Sequence, residues 1–260
     1  MTKKSKIVLL GAGNVSWHLA HFFKNFVDEI FIFNKSEESA KELAMAINSS
    51  YSTNYSDIPK NFDLYIISVK DDAVNEVASK LDVNKNAIVV HTSGSLDIDV
   101  LKDYFENYGS LYPLQTFSKH KELDYSKIPF FVEGNNEHSE NKVFDFINRF
   151  TKNVRKIDSR QRESIHLSAV FACNFTNFMF TSAEKILNDN SLDFEILLPL
   201  IEETVNKVKH LSPQKAQTGP AVRKDLKIID KHLNYLNKNN KDLASVYELI
   251  SKMIVNLYKT

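Results

Sequence analysis

The chain has 260 residues, 43% of them hydrophobic, with 33 lysines and arginines balancing 33 aspartates and glutamates and a single cysteine, Cys173. That supply of apolar residues suffices for one large domain or two moderate ones, and one cysteine excludes an intrachain disulfide and suits a reducing compartment. A neutral chain with a pI near 7.1 has no global attraction for nucleic acid or an anionic membrane surface, so neither is expected as a partner.

The basic start leads into an apolar run of only four residues, too short for the core of a signal peptide, and no later stretch reaches membrane-spanning length. A cytoplasmic protein is expected. The run itself, Ile7, Val8, Leu9 and Leu10, has the pattern of a parallel strand covered on both faces. Gly11 follows at once and permits a sharp turn, while Gly13 leaves room for a pyrophosphate to approach the backbone. From Asn14 and Val15 onward the spacing is helical, so the bare amides of that helix's first turn would face phosphates and its dipole would favour their charge. Ser16 stands at the third position of the Gly-x-Gly-x-x-Gly pattern and is small enough to keep helix and strand close. An ordinary tight strand-to-helix turn is the competing reading.

The next strand falls at residues 29–34. No acidic side chain stands at its end to hold the ribose 2′-hydroxyl of NAD; Asn34, Lys35 and Ser36 stand there instead and suit the 2′-phosphate of NADP. A surface turn with a helix cap at Ser36 would also account for them. A helix over 39–47, a short strand at 50–51 and a buried strand over 64–69 follow, with Lys70, Asp71 and Asp72 opening another helix. Residues at the carboxyl ends of such strands line the ligand crevice, which places Ser68, Val69 and Lys70 beside the nucleotide. The strand at 87–90 ends in a second turn rich in hydroxyls and glycine, with Thr92, Ser93 and Gly94 at the same edge, unless these are simply loop residues and caps. Extended segments at 111–116 and 128–133, then 144–150 and 154–157, complete an alternation of strand and helix that implies a doubly wound parallel sheet.

From residue 158 no strand pattern returns, which divides the chain into an α/β domain, 1–157, and an all-α domain, 158–260. Residues 160–187 are apolar nearly all the way round (Ile165, Leu167, Val170, Phe171, Phe175, Phe178), which implies burial against more than one neighbour. Residues 192–211 form a further helical stretch that Pro199 is expected to bend, and 224–238 and 241–258 form two more. At about 100° per residue, His166, Cys173, Asn174 and Asn177 share a sector of roughly 100°. An unpaired buried amide costs about 1–3 kcal/mol, so neighbouring helices or a ligand must satisfy this stripe. His166 and Asn177 lie about 16 Å apart along the axis and cannot act on one atom. Between the later helices, Thr218, Arg223 and Asp225 flank a Gly-Pro break that either holds an anionic substrate through Arg223 or caps the next helix.

The segments GAGNVSWHLA, NKS, SVKDDAV, HTSGSL, YPLQTFS, HLSAVFACNFTN and QTGPAVRKD together resemble the Rossmann-like proteins with a DUF2520 C-terminal domain. These are similar, more distantly, to pyrroline-5-carboxylate reductase, F420-dependent NADP reductase and the 6-phosphogluconate and β-hydroxyacid dehydrogenases. The resemblance implies an N-terminal NADP-binding domain and a helical C-terminal domain that builds a homodimer. The β-hydroxyacid dehydrogenases place an acid/base lysine four residues before an asparagine; here Val170 and Cys173 occupy the positions four before Asn174 and Asn177. His166 is then the side chain on that face of a type that exchanges protons near neutrality, with Asn174 and Asn177 able to orient a carbonyl or an amide. The expectation is an oxidoreductase moving hydride between NADP(H) and a small carbonyl or imine, without a metal. Two other classes remain open: a non-catalytic NADP-binding sensor, which would keep Gly11, Gly13 and Lys35 but need no acid/base, and an F420-dependent reductase.

Overall fold

Eight strands pair into one sheet in the order β3-β2-β1-β4-β5-β6-β7-β8, the apolar runs at its centre and the short polar strands β3 and β8 at its edges. In the computed structural model, which describes residues 5–258, the strands are β1 Lys6–Leu10, β2 Glu29–Phe33, β3 Ser50–Ser52, β4 Leu64–Ile67, β5 Ile88–His91, β6 Asn107–Pro113, β7 Phe130–Gly134 and β8 Val154–Lys156. All neighbours are parallel except β6 and β7. The connection between those two carries only a short helical turn, Tyr125–Lys127, and an antiparallel pair needs no crossover helix. The doubly wound α/β sheet is therefore present with one reversed step. From β1 the chain winds outward to β2 and β3, then returns to add β4 on the other side of β1, which makes the β1/β4 boundary the switch point.

The alternation of side chains along each strand divides the core in two. Ile7, Leu9, Ile32, Ile66 and Val90 face one layer, which holds α1 (Asn14–Phe23), α2 (Glu37–Ile47) and α4 (Glu137–Asn148) through Leu19, Phe23, Leu43 and Phe146. Val8, Leu10, Phe31, Tyr65 and Val89 face the other, covered by α3 (Val74–Lys80) and by the turn around Leu101. Local chemistry starts these helices where they start: Ser36 Oγ accepts from Ser39 N at the head of α2, and Asn136 and Ser139 form a reciprocal cap on α4.

The helical part begins with α5 (Ser159–Ala169), capped by Asp158 and Gln161. Its Arg162 side chain is 1% exposed and is held by the Glu133 carboxylate of β7, by the Leu96 carbonyl and by Ser159 Oγ. Glu133 also accepts from Ser159 N and Oγ, each at 2.8 Å. This network draws the first turns of the helix onto the sheet, and the chain divides into the compact units Met1–Cys173 and Asn174–Thr260. Residues 158–173, which the sequence pattern assigns to the helical domain, thus group with the sheet.

Three details of the helices differ from the sequence expectation. Val170–Phe175 is a π-helical turn; a wider turn rotates less per residue, so the sector computed for Cys173, Asn174 and Asn177 at α-helical rotation does not hold across it. Asn174 and Asn177 are exposed, and so are Leu167, Phe171 and Phe178, so within one chain this stretch is not buried on every side. Pro199 sits in the first turn of α7 (Leu198–His210), where its missing amide is not needed, and it starts the helix instead of bending it. The second unit continues from α6 (Thr176–Asn188) and α7 through α8 (Pro213–Ala216) to the hairpin of α9 (Leu226–Asn239) and α10 (Lys241–Leu257). Asp225 caps α9 by accepting from Ile228 N, so the cap reading applies to that residue. Among the described residues no helix is long and apolar enough to cross a membrane.

Removing one partner from a buried ion pair leaves the other charge stranded. Glu133→Ala should lower stability to urea by about 3–5 kcal/mol, and the paired change Arg162→Met with Glu133→Leu should recover most of that loss. A single-variant loss below about 1 kcal/mol would show that water replaces the carboxylate.

Candidate cofactor and substrate site

At the switch point β1 ends in Gly11, whose φ of +116° is reserved for glycine and whose amide donates to the Phe33 carbonyl at 2.7 Å. A Cβ there would collide with the Ser68 carbonyl at the end of β4. Gly13 precedes α1, and a Cβ on it would meet nothing within 4 Å, so the space beside it is open. The first amide of α1 to reach an acceptor one turn back is Trp17 N, on Gly13 O at 2.9 Å. The amides of Asn14, Val15 and Ser16 have no such acceptor and carry the positive end of the helix dipole.

This cradle forms the floor of a crevice of about 800 Å³ in the first unit. Gly11, Gly13, Asn14, Val15, Asn34, Ser68, Val69, Lys70, Thr92, Ser93 and Gly94 line it. Ser68 Oγ is buried there without a hydrogen-bond partner, a polar group placed for a ligand to satisfy. An open glycine cradle, unpaired helix amides and an orphan hydroxyl fit the pyrophosphate and ribose of a dinucleotide. Lys35 and Ser36 are not among the lining residues. Lys35 Nζ donates to Glu76 at 2.7 Å and Ser36 caps α2, while Asn34 Nδ2 donates to the Ser36 carbonyl at 3.0 Å.

The opposite wall is built by β5, β6 and α5. His91, the last residue of β5, is fully buried, and its Nδ1 accepts from Ser93 N at 3.2 Å. Ser93 Oγ in turn accepts from Ser95 N and Leu96 N, each at 3.0 Å, so the hydroxyl-rich turn both caps itself and faces the crevice. Gly94 lets α5 approach: a Cβ would stand 2.6 Å from His166 Nδ1. His166 lines the crevice one turn beyond Arg162, and its Nδ1 shares a hydrogen bond of 3.0 Å with the Tyr112 hydroxyl. Burial raises the Tyr112 phenol above its ordinary value, opposed by the nearby Arg162 charge, so the hydroxyl keeps its proton at neutral pH.

Tyr112 is the residue that sequence reasoning missed. It reads as a core aromatic of an extended segment, although the rule that strand ends line the crevice applies to it, since β6 runs parallel to β5. Asn174 and Asn177 belong to the second unit and do not line this crevice.

A doubly wound sheet with this cradle at its switch point defines the class: an oxidoreductase-like NAD(P)-binding fold. Residues 6–94 match the family model described as NADP oxidoreductase, coenzyme F420-dependent, and residues 128–254 match DUF2520, a domain of unknown function. The chain belongs to the same family as a putative NADP oxidoreductase from Bacteroides fragilis, 38% identical with a TM-score of 0.91 over 98% of this chain and 99% of that one. Two more distant structures share the fold. A 1-pyrroline-5-carboxylate reductase from Streptococcus pyogenes is 15% identical with a TM-score of 0.64 over 99% of both chains. An imine reductase from Myxococcus stipitatus in complex with NADP+ is 14% identical with a TM-score of 0.65 over 97% of this chain and 94% of that one. No curated protein matches the sequence.

Burial, with the Arg162 charge adding to it, pushes the His91 imidazole down from 6.5 to about 3. Between those values the unfolded chain takes up a proton that the folded protein refuses. Stability is therefore complete above about pH 6.5 and falls by about 1.4 kcal/mol per pH unit toward pH 3. Urea unfolding across this range should show His91→Gln losing that part of the acid dependence; parallel losses in wild type and variant would assign it to other groups.

Proposed function

We propose that the protein is an NADP(H)-dependent oxidoreductase that moves a hydride to or from a small carbonyl or imine. The observation that carries this reading is the hydrogen-bonded Tyr112–His166 pair on the wall of the same crevice whose floor is the dinucleotide cradle. Gly11, Gly13 and the first amides of α1 would hold the pyrophosphate, and Asn34 with Lys35 the adenosine ribose. The cofactor supplies the hydride.

Addition of hydride to C=O or C=N must be matched by a proton on the oxygen or nitrogen. The protonated His166 ring delivers it from Nε2, the nitrogen left over by the bond to Tyr112, and is left as neutral imidazole with its remaining proton on Nδ1 toward the Tyr112 oxygen. Tyr112 orients the ring, and water returns the proton to Nε2 for the next turnover. In the oxidative direction the same nitrogen removes the proton. The reading needs no contribution from Asn174 or Asn177. The resemblance of 6–94 to F420-dependent enzymes favours a second reading, in which the deazaflavin is the hydride partner.

NADPH consumption over a panel of carbonyls, imines and F420 tests these alternatives. With an active substrate, His166→Asn should lower turnover about 10²- to 10⁴-fold while NADPH affinity changes little. Tyr112→Phe should give a smaller loss and a displaced pH profile. Tight NADPH binding with no turnover on any partner would leave a nucleotide sensor.

The second unit carries a further part of the proposal, a homodimer. Leu249, Met253 and Leu257 recur at helical spacing along α10 and are 60%, 62% and 61% exposed, while the unit's buried apolar residues are few. A stripe of this kind in a small helical unit calls for a cover, and a second copy is self-complementary by symmetry. Sedimentation should show a dimer that Leu249→Asp with Met253→Asp converts to monomer. A wild-type monomer at all concentrations would overturn it.

A further inference from the structure

Just past the end of β2, two lysines from different parts of the chain meet on one carboxylate. Lys35 Nζ donates to Glu76 Oε2 at 2.7 Å, and Lys80 Nζ donates to Glu76 Oε1 at 2.7 Å. Glu76 and Lys80 are one turn apart on α3, while Lys35 arrives from the strand. These two hydrogen bonds hold the Glu76 carboxyl down at about 2. Tyr55 lies against the group: its ring is 4.3 Å from that of Phe33, the last residue of β2, and Lys80 Nζ stands 5.8 Å from its centre. The Tyr55 hydroxyl is buried and has no hydrogen-bond partner. Asn34 and Ala73, immediate chain neighbours of Lys35 and of α3, line the crevice, so the cluster borders its β2 end.

Two ammonium groups sharing one carboxylate leave a net positive charge. Side chains this exposed contribute little to folding stability through such pairs, so the arrangement has no evident structural return. A phosphate monoester matches it better than the carboxylate does. It carries about −1.5 to −2 charges at pH 7 and three acceptor oxygens, enough for both lysines and a hydroxyl.

We propose that Lys35 and Lys80 form a clamp for the 2′-phosphate of the dinucleotide and that Glu76 occupies the phosphate's place until the cofactor displaces it, with Tyr55 as a third donor. The proposal rests on the NADP reading above and assigns its selectivity to Lys80 and Glu76. Lys80 supplies the second charge, and Glu76 holds the cations together at the cost of competing with the ligand.

Titration calorimetry of wild type, Lys35→Met, Lys80→Met and Glu76→Gln with NADPH and NADH tests this, with adenosine 2′,5′-bisphosphate and adenosine 5′-monophosphate as small probes. The clamp requires Lys80→Met to weaken NADPH and the bisphosphate about tenfold with NADH and the monophosphate unchanged. It requires Glu76→Gln to tighten NADPH several-fold. If wild type prefers NADPH and Lys35→Met removes that preference but Lys80→Met does not, the clamp is overturned and the cofactor reading stands. A wild type that does not distinguish NADPH from NADH overturns both.

Discussion

A guanidinium withdrawn from water must find its charge and hydrogen-bond partners inside the protein, and the placement of α5 follows from where Arg162 finds them. Glu133 comes from β7, the Leu96 carbonyl from the chain after β5, and Ser159 from the head of the helix itself. Three stretches far apart in sequence are therefore tied at one point. One turn later on the same helix, His166 comes to rest against Gly94 and Tyr112. An apolar substitute of similar volume could hold the helix as firmly. What the ion pair adds is direction, since a planar guanidinium donates to its partners only at set angles.

The two ends of the crevice use different chemistry. At the β1 end the lining is backbone: a glycine with a left-handed φ, a glycine with nothing beside it, and helix amides without an acceptor one turn back. Side chains can change there only at the expense of the space itself. Bordering the β2 end are side chains instead, Lys35 after the strand and Glu76 and Lys80 on α3, which can vary one at a time. A fold built this way can hold its grip on a dinucleotide while its preference among dinucleotides shifts.

Strands were legible because burial on both faces leaves unbroken apolar runs, as in Ile7 to Leu10, and the cradle because glycine spacing has few other uses. His166 was legible as an ionisable group in an apolar helix. Tyr112 was hidden because a strand aromatic looks like core, and the Arg162–Glu133 and Lys35–Glu76 pairs because no local pattern marks partners 29 or 41 residues apart. The π-helical turn at Val170–Phe175 escaped for another reason. Hydrophobic period is read by assuming 3.6 residues per turn, so a local change of pitch shifts every later residue around the axis without altering composition.

The one reversal in the sheet has a consequence for the wall built by β6 and α5. β6 ends at the crevice edge with Tyr112 and Pro113, but β7 starts there, Phe130 opposite Pro113, and travels away from it. β8 follows the same heading, so the chain enters α5 beside Glu133, on the far side of Phe131 from the crevice. The helix must then climb back. Two residue steps along β7 take Glu133 to Phe131, the partner of Tyr112, a span of about 7 Å, and the seven steps from Ser159 to His166 rise about 10 Å. Had β7 run parallel to β6, the same connection would have released α5 at the crevice edge and pointed it downhill, carrying His166 away from Tyr112. The U-turn in the sheet sets the heading of the helix that carries His166 to the crevice.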